Sequence, residues 1–200
     1  MVRHGQTDYN LRNIVQGSGV DTDLNARGRQ QAAAFYEAYQ HIKFDKIYTS
    51  VLKRSQQSVE AFHALGIPWE HLAGLNEISW GEKEGQAVTN EENEYYHHVI
   101  KRWQSGEIDL RIERGESPVE VVARMAPAMD HIMAQTSEKT ILICMHGRAI
   151  RILMAYLLRY PLNSMDMFEH ENLGLYLLNY TGSMFQVERY NDNHHLRFLS

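Results

Sequence analysis

The chain has 200 residues and carries 20 Lys or Arg against 25 Asp or Glu, which gives a net charge of −5 at pH 7. This length predicts a single domain over residues 1–200, and the acidic balance argues against a general affinity for nucleic acid. Cys144 is the only cysteine, so no disulfide forms within the chain, and a free thiol is typical of a reducing compartment. No stretch has the length and apolarity of an export signal or a membrane span. We therefore expect a cytoplasmic protein without a membrane partner.

The first half of the chain alternates helical and extended patterns. Asn25 is a typical N-cap residue, and the apolar spacing after it predicts a helix that reaches Tyr39. A short strand is predicted over 46–49 and a second helix over 51–65. Residues 88–104 have a helical but polar pattern, which predicts a third helix.

The second half continues the alternation. Ser117 with Pro118 is a typical helix start, and the helix is expected to reach about position 135. The continuous apolar run over 140–145 predicts a strand covered on both faces, followed by a helix over 148–158. Residues 172–190 alternate around a Thr-Gly-Ser turn as a hairpin does. Together these elements predict an α/β fold, a three-layer α/β/α sandwich with a mostly parallel central sheet.

One short pattern occurs twice in the chain: a histidine and a glycine that follow an extended segment and precede a helix. The two copies are Val2-Arg3-His4-Gly5 and Ile143-Cys144-Met145-His146-Gly147. A lone histidine at a strand end is more often structural, but two parallel neighbouring strands would bring both imidazoles to one edge of the sheet. Arg3 and Arg54 are expected at the same edge, where guanidinium groups bind phosphate oxygens bidentately. The pattern therefore predicts a phosphate-binding pocket.

The chain resembles the histidine phosphatase superfamily, the phosphoglycerate-mutase-like group, from residue 3 to about residue 180. The stretch after the second histidine is most similar to the fructose-2,6-bisphosphatase and broad-specificity phosphatase branches. Each landmark alone is a weak motif, but together they follow the family order. The landmarks are Arg3-His4-Gly5-Gln6-Thr7, residues 22–32, residues 50–58, residues 75–85, Gly115-Glu116-Ser117 and His146-Gly147.

The resemblance implies a role for each site residue. His4 would be the nucleophile that forms a phosphohistidine, and Glu77 would protonate the leaving alkoxide and later accept a proton from water. Glu82 and Glu84 are rival acids that are expected to face solvent. No metal and no cofactor are implied. The expected phosphoryl ligands are Arg3, Arg54 and His146, and the expected substrate-binding residues are Asn10, Gln16, Gly17 and Gly147.

Three functions remain open at this point. A phosphomonoesterase for a small phosphorylated substrate, such as a sugar phosphate, is favoured because the interval over 86–114 is short. A phosphoglycerate mutase would need a longer interval with more basic residues to hold a bisphosphate. A non-catalytic module would bind a phosphorylated partner without turnover. The bases in the interval either contact a second acidic group or form a solvated face; they are Lys101, Arg102, Arg111 and Arg114.

Two further expectations concern the start of the chain and its assembly. Only Met1 and Val2 precede Arg3, whereas typical strands have about five or six residues, so residues upstream of Met1 are expected to be missing. The oligomeric state is open, with a homodimer as one alternative.

Overall fold

The computed structural model describes residues 1–87 and 89–199. Its strands are β1 (Val2–Arg3), β2 (Lys46–Thr49), β3 (Trp69–His71), β4 (Ile141–Met145), β5 (Leu175–Tyr180) and β6 (Phe185–Asp192). Its α-helices are α1 (Asp8–Leu11), α2 (Ala26–Tyr39), α3 (Lys53–Gln57), α4 (Glu60–His63), α5 (Asn90–Gln104), α6 (Pro118–Met133) and α7 (Gly147–Leu157). Short 3-10 helices lie at Ala73–Leu75, Gly81–Lys83, Leu162–Met167 and His194–Leu196.

The strands form one sheet in the order β3-β2-β4-β1-β5-β6. The pairings of β3 with β2, β2 with β4 and β4 with β1 are parallel, and β5 joins β1 and β6 by antiparallel pairings. β1 is short, with two residues, yet it occupies an inner position of the sheet, between β4 and β5. The prediction of an α/β fold with a mostly parallel sheet is confirmed.

Each face of the sheet is covered by helices, because successive residues of a strand point to opposite faces. In β4, Leu142 and Cys144 pack with Phe35 of α2 and Phe62 of α4. The alternate residues of that strand pack in a second core, with apolar residues of α6 and α7. The three-layer arrangement is therefore confirmed. No helix among the described residues is long and apolar enough to cross a membrane.

The order of the strands leaves a crevice between β1 and β4. After β1 the chain continues to α2 on one face, and after β4 it continues directly into α7 on the other face. The chain therefore separates in opposite directions at the carboxyl ends of two neighbouring parallel strands. This is the place where open α/β sheets bind their ligands.

Several predicted element boundaries are confirmed by their caps. The side chain of Asn25 accepts a hydrogen bond from the Gly28 N–H at 2.9 Å, and α2 begins at the next residue. Ser117 and Glu120 form a reciprocal capping box at the start of α6. The predicted hairpin is present as β5 and β6. The polar helix predicted over 88–104 is α5, and residue 88 lies outside the described residues.

The helix predicted over 51–65 is wrong, because two short helices, α3 and α4, occupy this range. The hydroxyl of Ser58 donates to the Arg54 carbonyl at 2.6 Å and accepts from the Gly5 N–H at 2.9 Å. The interruption follows this residue, since Val59 has a φ of −127°. The run of helical hydrogen bonds is thus interrupted at Ser58, which is hydrogen-bonded to the loop that follows β1. The strand β3 was also not predicted.

Candidate active site

The two histidines of the repeated pattern lie side by side at the carboxyl ends of β1 and β4. Val2 pairs with Cys144 and Arg3 with Met145, so the residues that follow are neighbours at one edge of the sheet. The ring centroids of His4 and His146 are 5.1 Å apart, with the planes tilted by 54°. Both side chains are buried. The structure therefore brings together the imidazoles that the sequence pattern paired.

The protonation of His4 follows from its hydrogen bond. Its Nδ1 lies 2.7 Å from the Gly5 carbonyl oxygen, which only accepts, so Nδ1 carries the proton and donates. Burial, followed by the charges of Arg54 and Arg3, lowers the pKa of His4 well below its usual value. The ring is therefore neutral at pH 7, with the lone pair on Nε2. This is the form that a nucleophilic imidazole needs.

The ring of His146 is hydrogen-bonded to a hydroxyl through one of its two nitrogens. Its Nε2 lies 2.7 Å from the Ser50 Oγ, while its Nδ1 is buried without a hydrogen-bond partner among the described residues. Burial, followed by the charge of Arg54, lowers the pKa of His146 well below its usual value. A second neutral imidazole therefore stands beside His4, with one ring nitrogen unused.

Two guanidinium groups lie near this pair, that of Arg54, which is buried, and that of Arg3, which is half-buried. Arg54 donates to the Val20 carbonyl at 2.6 Å and to the Gly17 carbonyl at 3.0 Å, and its Nε has no partner in the part of the chain that the structure describes. Burial lowers the pKa of Arg54 to about 10, so the group stays charged at neutral pH. Arg3 donates to Nδ1 of His170 at 3.3 Å, and its Nε is also unpartnered. Two cations with spare donors are therefore directed at one region, which suits an oxyanion such as phosphate.

The Glu77 carboxylate is anchored to the helix that follows His146. Its Oε1 accepts from the backbone N–H groups of Ile78 at 2.9 Å and Ala149 at 2.8 Å. Its Oε2 accepts from the Arg148 N–H at 3.1 Å. Two of these donors belong to the first turn of α7, whose N–H groups have no partner within the helix. The carboxylate is thus fixed at the same edge of the sheet as both histidines.

A clamp from α6 holds the loop that carries Glu77. Arg124 donates to the carbonyl oxygens of residues 74, 76 and 77, at 2.9, 3.0 and 2.9 Å. Its Nε and Nη2 also donate to the two carboxylate oxygens of Glu116, at 2.7 and 3.0 Å. All five donors that a guanidinium offers are therefore used. Glu116 belongs to the Gly-Glu-Ser landmark, and it also accepts from the Ser79 N–H at 2.8 Å.

The two rival carboxylates lie in different environments. Glu82 is exposed and forms a 2.8 Å ion pair with Arg114. The prediction that Glu84 faces solvent is wrong, because Glu84 is half-buried and its Oε1 accepts from the Trp80 N–H at 2.8 Å. It occupies space that glycine leaves free, since a Cβ on Gly17 would lie 2.2 Å from its Oε1. Burial raises the pKa of Glu84.

The expected substrate-binding residues are not all at one place. Asn10 closes a capping box with Thr7, and Gln16 accepts from the hydroxyls of Thr7 at 2.9 Å and Thr22 at 2.6 Å. These contacts shape the loop after β1. The carbonyl of Gly17 holds Arg54, as described above. Gly147 lies against the ring of His170, where a Cβ would come within 2.6 Å of Cε1.

A cavity of about 270 Å³ is lined by Arg3 and Gly147, the chain neighbours of His4 and His146, and by residues that the sequence analysis missed. Arg148 and Arg151 are three residues apart on α7, and both bind Asp166. The sequence signal that could have identified these two arginines is their spacing, because residues three apart on a helix that begins directly after the histidine lie on the same face. The lining residues are Arg3, Glu77, Trp80, Tyr96, Gly147, Arg148, Arg151 and His170.

The four bases of the interval over 86–114 do not line this cavity. Arg102 pairs with Glu107, Arg111 with Glu120 and Arg114 with Glu82, and Lys101 is exposed. The interpretation as a solvated face is therefore the better one. Within residues 1–87 and 89–199, no cluster of three or more His, Cys, Asp or Glu side chains suits a metal ion.

Comparison with known proteins places this geometry among phosphatases. A family model described as the histidine phosphatase superfamily (branch 1) matches residues 1–193. The mouse 6-phosphofructo-2-kinase/fructose-2,6-bisphosphatase 1 is 34% identical over 160 residues, which cover 79% of this chain and 32% of that protein. The chain thus spans about a third of the length of this relative.

Two further matches cover nearly the whole chain. A broad-specificity phosphatase of Saccharomyces cerevisiae is 30% identical over 207 residues, which cover 98% of this chain and 86% of that protein. The solved structure of Bacillus stearothermophilus YhfR superposes with a TM-score of 0.85 and 26% identity, covering 98% of this chain and 97% of that one.

Proposed function

Because the chain belongs to the histidine phosphatase superfamily (branch 1), we propose that it hydrolyses phosphate monoesters through a phosphohistidine at His4. One observation carries this proposal. A buried imidazole whose Nδ1 proton is held by a carbonyl lies 5.1 Å from a second imidazole, among guanidinium groups with unused donors. This arrangement supplies a neutral nucleophile next to sites for three phosphoryl oxygens.

The first half-reaction transfers the phosphoryl group to the protein. The Nε2 lone pair of His4 forms a bond to phosphorus while the bond from phosphorus to the ester oxygen breaks. Arg3, Arg54 and His146 stabilise the charge on the phosphoryl oxygens. The leaving alkoxide takes a proton from the Glu77 carboxyl, which borders the cavity. The products of this step are the free alcohol and a phosphohistidine.

The second half-reaction restores the enzyme. Water attacks phosphorus in line with the bond to His4, and the Glu77 carboxylate accepts a proton from that water. Phosphate leaves, and the Nε2 lone pair returns to the ring. No net proton or electron remains on the protein, so one carboxyl serves both half-reactions.

The size and charge of the cavity support a small phosphorylated metabolite, such as a sugar phosphate, as the substrate. Its volume of about 270 Å³ suits a small ligand rather than a folded partner. Among the described residues, Arg148 and Arg151 both pair with one carboxylate, that of Asp166, so one positive charge is left to bind polar groups of the substrate beyond the phosphoryl group. The single buried thiol, Cys144, supports a reducing compartment such as the cytoplasm.

A panel of phosphorylated metabolites, incubated with the protein in excess EDTA, tests the proposal. We expect release of inorganic phosphate from several small monoesters at a rate that EDTA does not change. An isomerised phosphoglycerate that forms only with a bisphosphate primer would instead indicate a mutase. Binding of phosphate without any turnover would indicate a non-catalytic module. Either of these two results would overturn the proposal.

The variant Glu77→Gln tests the acid role. A poor leaving group needs the proton of Glu77 in the transition state, whereas a good one departs as an anion, so the rate of phosphohistidine formation should fall most for the poorest leaving groups. The expected loss is about 100-fold or more for an alkyl ester and under about 10-fold for an activated aryl ester. The measurement is kcat/KM across a series of leaving groups.

The matched control for this series is Glu82→Gln. Glu82 belongs to the same segment but is exposed and paired with Arg114. We expect its leaving-group series to follow that of the unmodified protein. An equal loss across the whole series in Glu77→Gln would count against proton transfer by this carboxyl.

A further inference from the structure

Ser50 and Ser55 form a buried hydroxyl pair behind His146, on the side that faces away from its unpartnered nitrogen. The Ser50 Oγ lies 2.7 Å from Nε2 of His146 and 2.8 Å from the Ser55 Oγ. All three side chains are buried. Whether Nε2 of His146 carries a proton therefore depends on hydroxyl groups that take no part in the steps described above.

Counting hydrogens limits the arrangements that this cluster allows. A hydroxyl has one hydrogen and two lone pairs. The Leu52 N–H donates to the Ser50 Oγ at 3.1 Å, so one lone pair of Ser50 is already occupied. Ser50 must then donate to one of its two remaining neighbours and accept from the other.

Two arrangements satisfy this count. In the first, Ser55 donates to Ser50 and Ser50 donates to Nε2, which leaves the ring proton of His146 on Nδ1. In the second, Nε2 donates to Ser50, Ser50 donates to Ser55, and Ser55 donates to the Leu52 carbonyl at 2.8 Å, which leaves Nδ1 bare. The two arrangements interconvert by a concerted reversal of the hydrogen bonds. The cluster is thus able to hold either tautomer of a neutral ring.

The surroundings of Nδ1 select between these arrangements once a phosphoryl group is present. Nδ1 is buried beside His4 without a partner among residues 1–87 and 89–199. A lone pair on Nδ1 would repel an anionic oxygen, whereas an N–H would donate to it. The doubly protonated ring is the remaining way to supply that donor, and burial with the charge of Arg54 lowers the pKa of His146 well below neutral. A neutral ring therefore needs a donor at Nε2.

Resting on the proposed function, we propose that Ser50, backed by Ser55, is a positioning residue that sets the tautomer of His146. With Ser50 donating to Nε2, the neutral imidazole presents Nδ1–H to a phosphoryl oxygen. The two hydroxyls thus allow a neutral His146 to donate a hydrogen bond to the phosphoryl group. Without them, that donor would require a second proton on the ring, which adds a positive charge to a pocket that is already cationic.

The direct test is the tautomer itself, read by nitrogen-15 NMR of the histidine rings at pH 7 with saturating inorganic phosphate. In the unmodified protein we expect a neutral His146 protonated at Nδ1. In Ser50→Ala we expect this tautomer to lose its dominance, and in Ser55→Ala we expect a smaller change in the same direction. A ring protonated at Nε2 alone, or at both nitrogens, in the unmodified phosphate complex would overturn the inference.

The kinetic test separates positioning from structural damage. Ser50→Ala is expected to lower kcat/KM about 10- to 100-fold at pH 7, the range typical of groups that orient a catalytic histidine. The loss should lie mainly in kcat, because the Nδ1–H donor acts on the phosphoryl group in the transition state. A loss confined to KM would overturn the inference.

Thr49→Val is the matched control, since Thr49 is the buried neighbour whose hydroxyl donates to the Ser50 carbonyl without touching His146. We expect it to leave kcat and the tautomer unchanged. The phosphate complex is observed without turnover, so the tautomer can be read even if no ester is hydrolysed. Absent turnover with an Nδ1–H tautomer would contradict the proposed function alone, and turnover with an Nε2–H tautomer would contradict this inference alone.

Discussion

Replacing His4 with alanine is expected to lower kcat/KM for phosphate monoesters by about 10⁴-fold or more, the scale on which enzymes lose activity when their nucleophile is removed. The reason is geometric. His4 is the imidazole whose Nδ1 proton is fixed by the Gly5 carbonyl, which leaves Nε2 as the attacking atom. His146 lies 5.1 Å away but, with Ser50 donating to its Nε2, it presents Nδ1–H rather than a lone pair, so it does not replace the nucleophile.

The measurement is a rapid-quench experiment with a substrate labelled in its phosphate. The unmodified protein should carry label that survives base and is lost in acid, as a phosphorus–nitrogen bond does, and His4→Ala should carry none. His131→Ala is the control, because His131 is an exposed histidine that pairs with Glu70. Label on His4→Ala at the level of the unmodified protein would show that another residue is phosphorylated. Inorganic phosphate binding should report that the variant still folds.

Acidification is expected to destabilise the fold strongly between pH 7 and pH 5. Burial lowers the pKa values of His4 and His146 well below the usual range, and burial with the charge of Arg3 lowers the pKa of His170 to about 2. The folded protein therefore keeps these rings neutral, while the unfolded chain protonates them below about pH 6.5. Stability contributed by the neutral rings is present above that pH and is lost as the pH falls.

The size of this effect follows from linkage. Each histidine that stays neutral in the folded state costs about 1.4 kcal/mol per pH unit below the unfolded pKa. Over the range from pH 7 to pH 5 this amounts to about 2 kcal/mol for each ring, and about 6 kcal/mol for three rings. Typical domains have a free energy of unfolding of about 5 to 15 kcal/mol, so the loss is a large share. The raised pKa of Glu84 acts in the opposite direction.

Urea unfolding at pH 7, 6 and 5 measures this dependence. His170→Asn should reduce the loss of stability between pH 7 and pH 5 by about 2 kcal/mol, because one buried ring with a lowered pKa is gone. If stability were constant from pH 7 to pH 5, the buried rings would be charged in the folded state, and the neutral nucleophile would be lost with them.

The sequence was sufficient for those parts of the site that depend on local pattern. The two strand-histidine-glycine segments predicted that His4 and His146 meet, because parallel strands end at one edge. The caps at Asn25 and Ser117 predicted two helix starts. Local chemistry decided each of these features, so a single sequence revealed them.

Other parts depend on contacts between distant segments. His170 reaches the site only because the chain returns from α7 toward β5, and no local pattern marks it. Glu84 was expected in solvent because its burial depends on Gly17, which is 67 residues away in the chain. The interruption after α3 depends on the bond between Ser58 and Gly5, on two separate loops. Tertiary contacts outweighed helix propensity there.

The attachment of Glu77 to α7 has a consequence for how substrate preference can change on this scaffold. Its carboxylate is bound to the N–H groups of Arg148 and Ala149, which are the second and third residues after His146. The separation between the proposed proton donor, Glu77, and the proposed phosphoryl ligand, His146, is therefore set by the main chain of one helical turn. Side chains farther out, such as Tyr96 and Arg151, can be exchanged without altering that separation. Divergence toward new esters can thus proceed at the cavity mouth while the reacting groups keep their spacing.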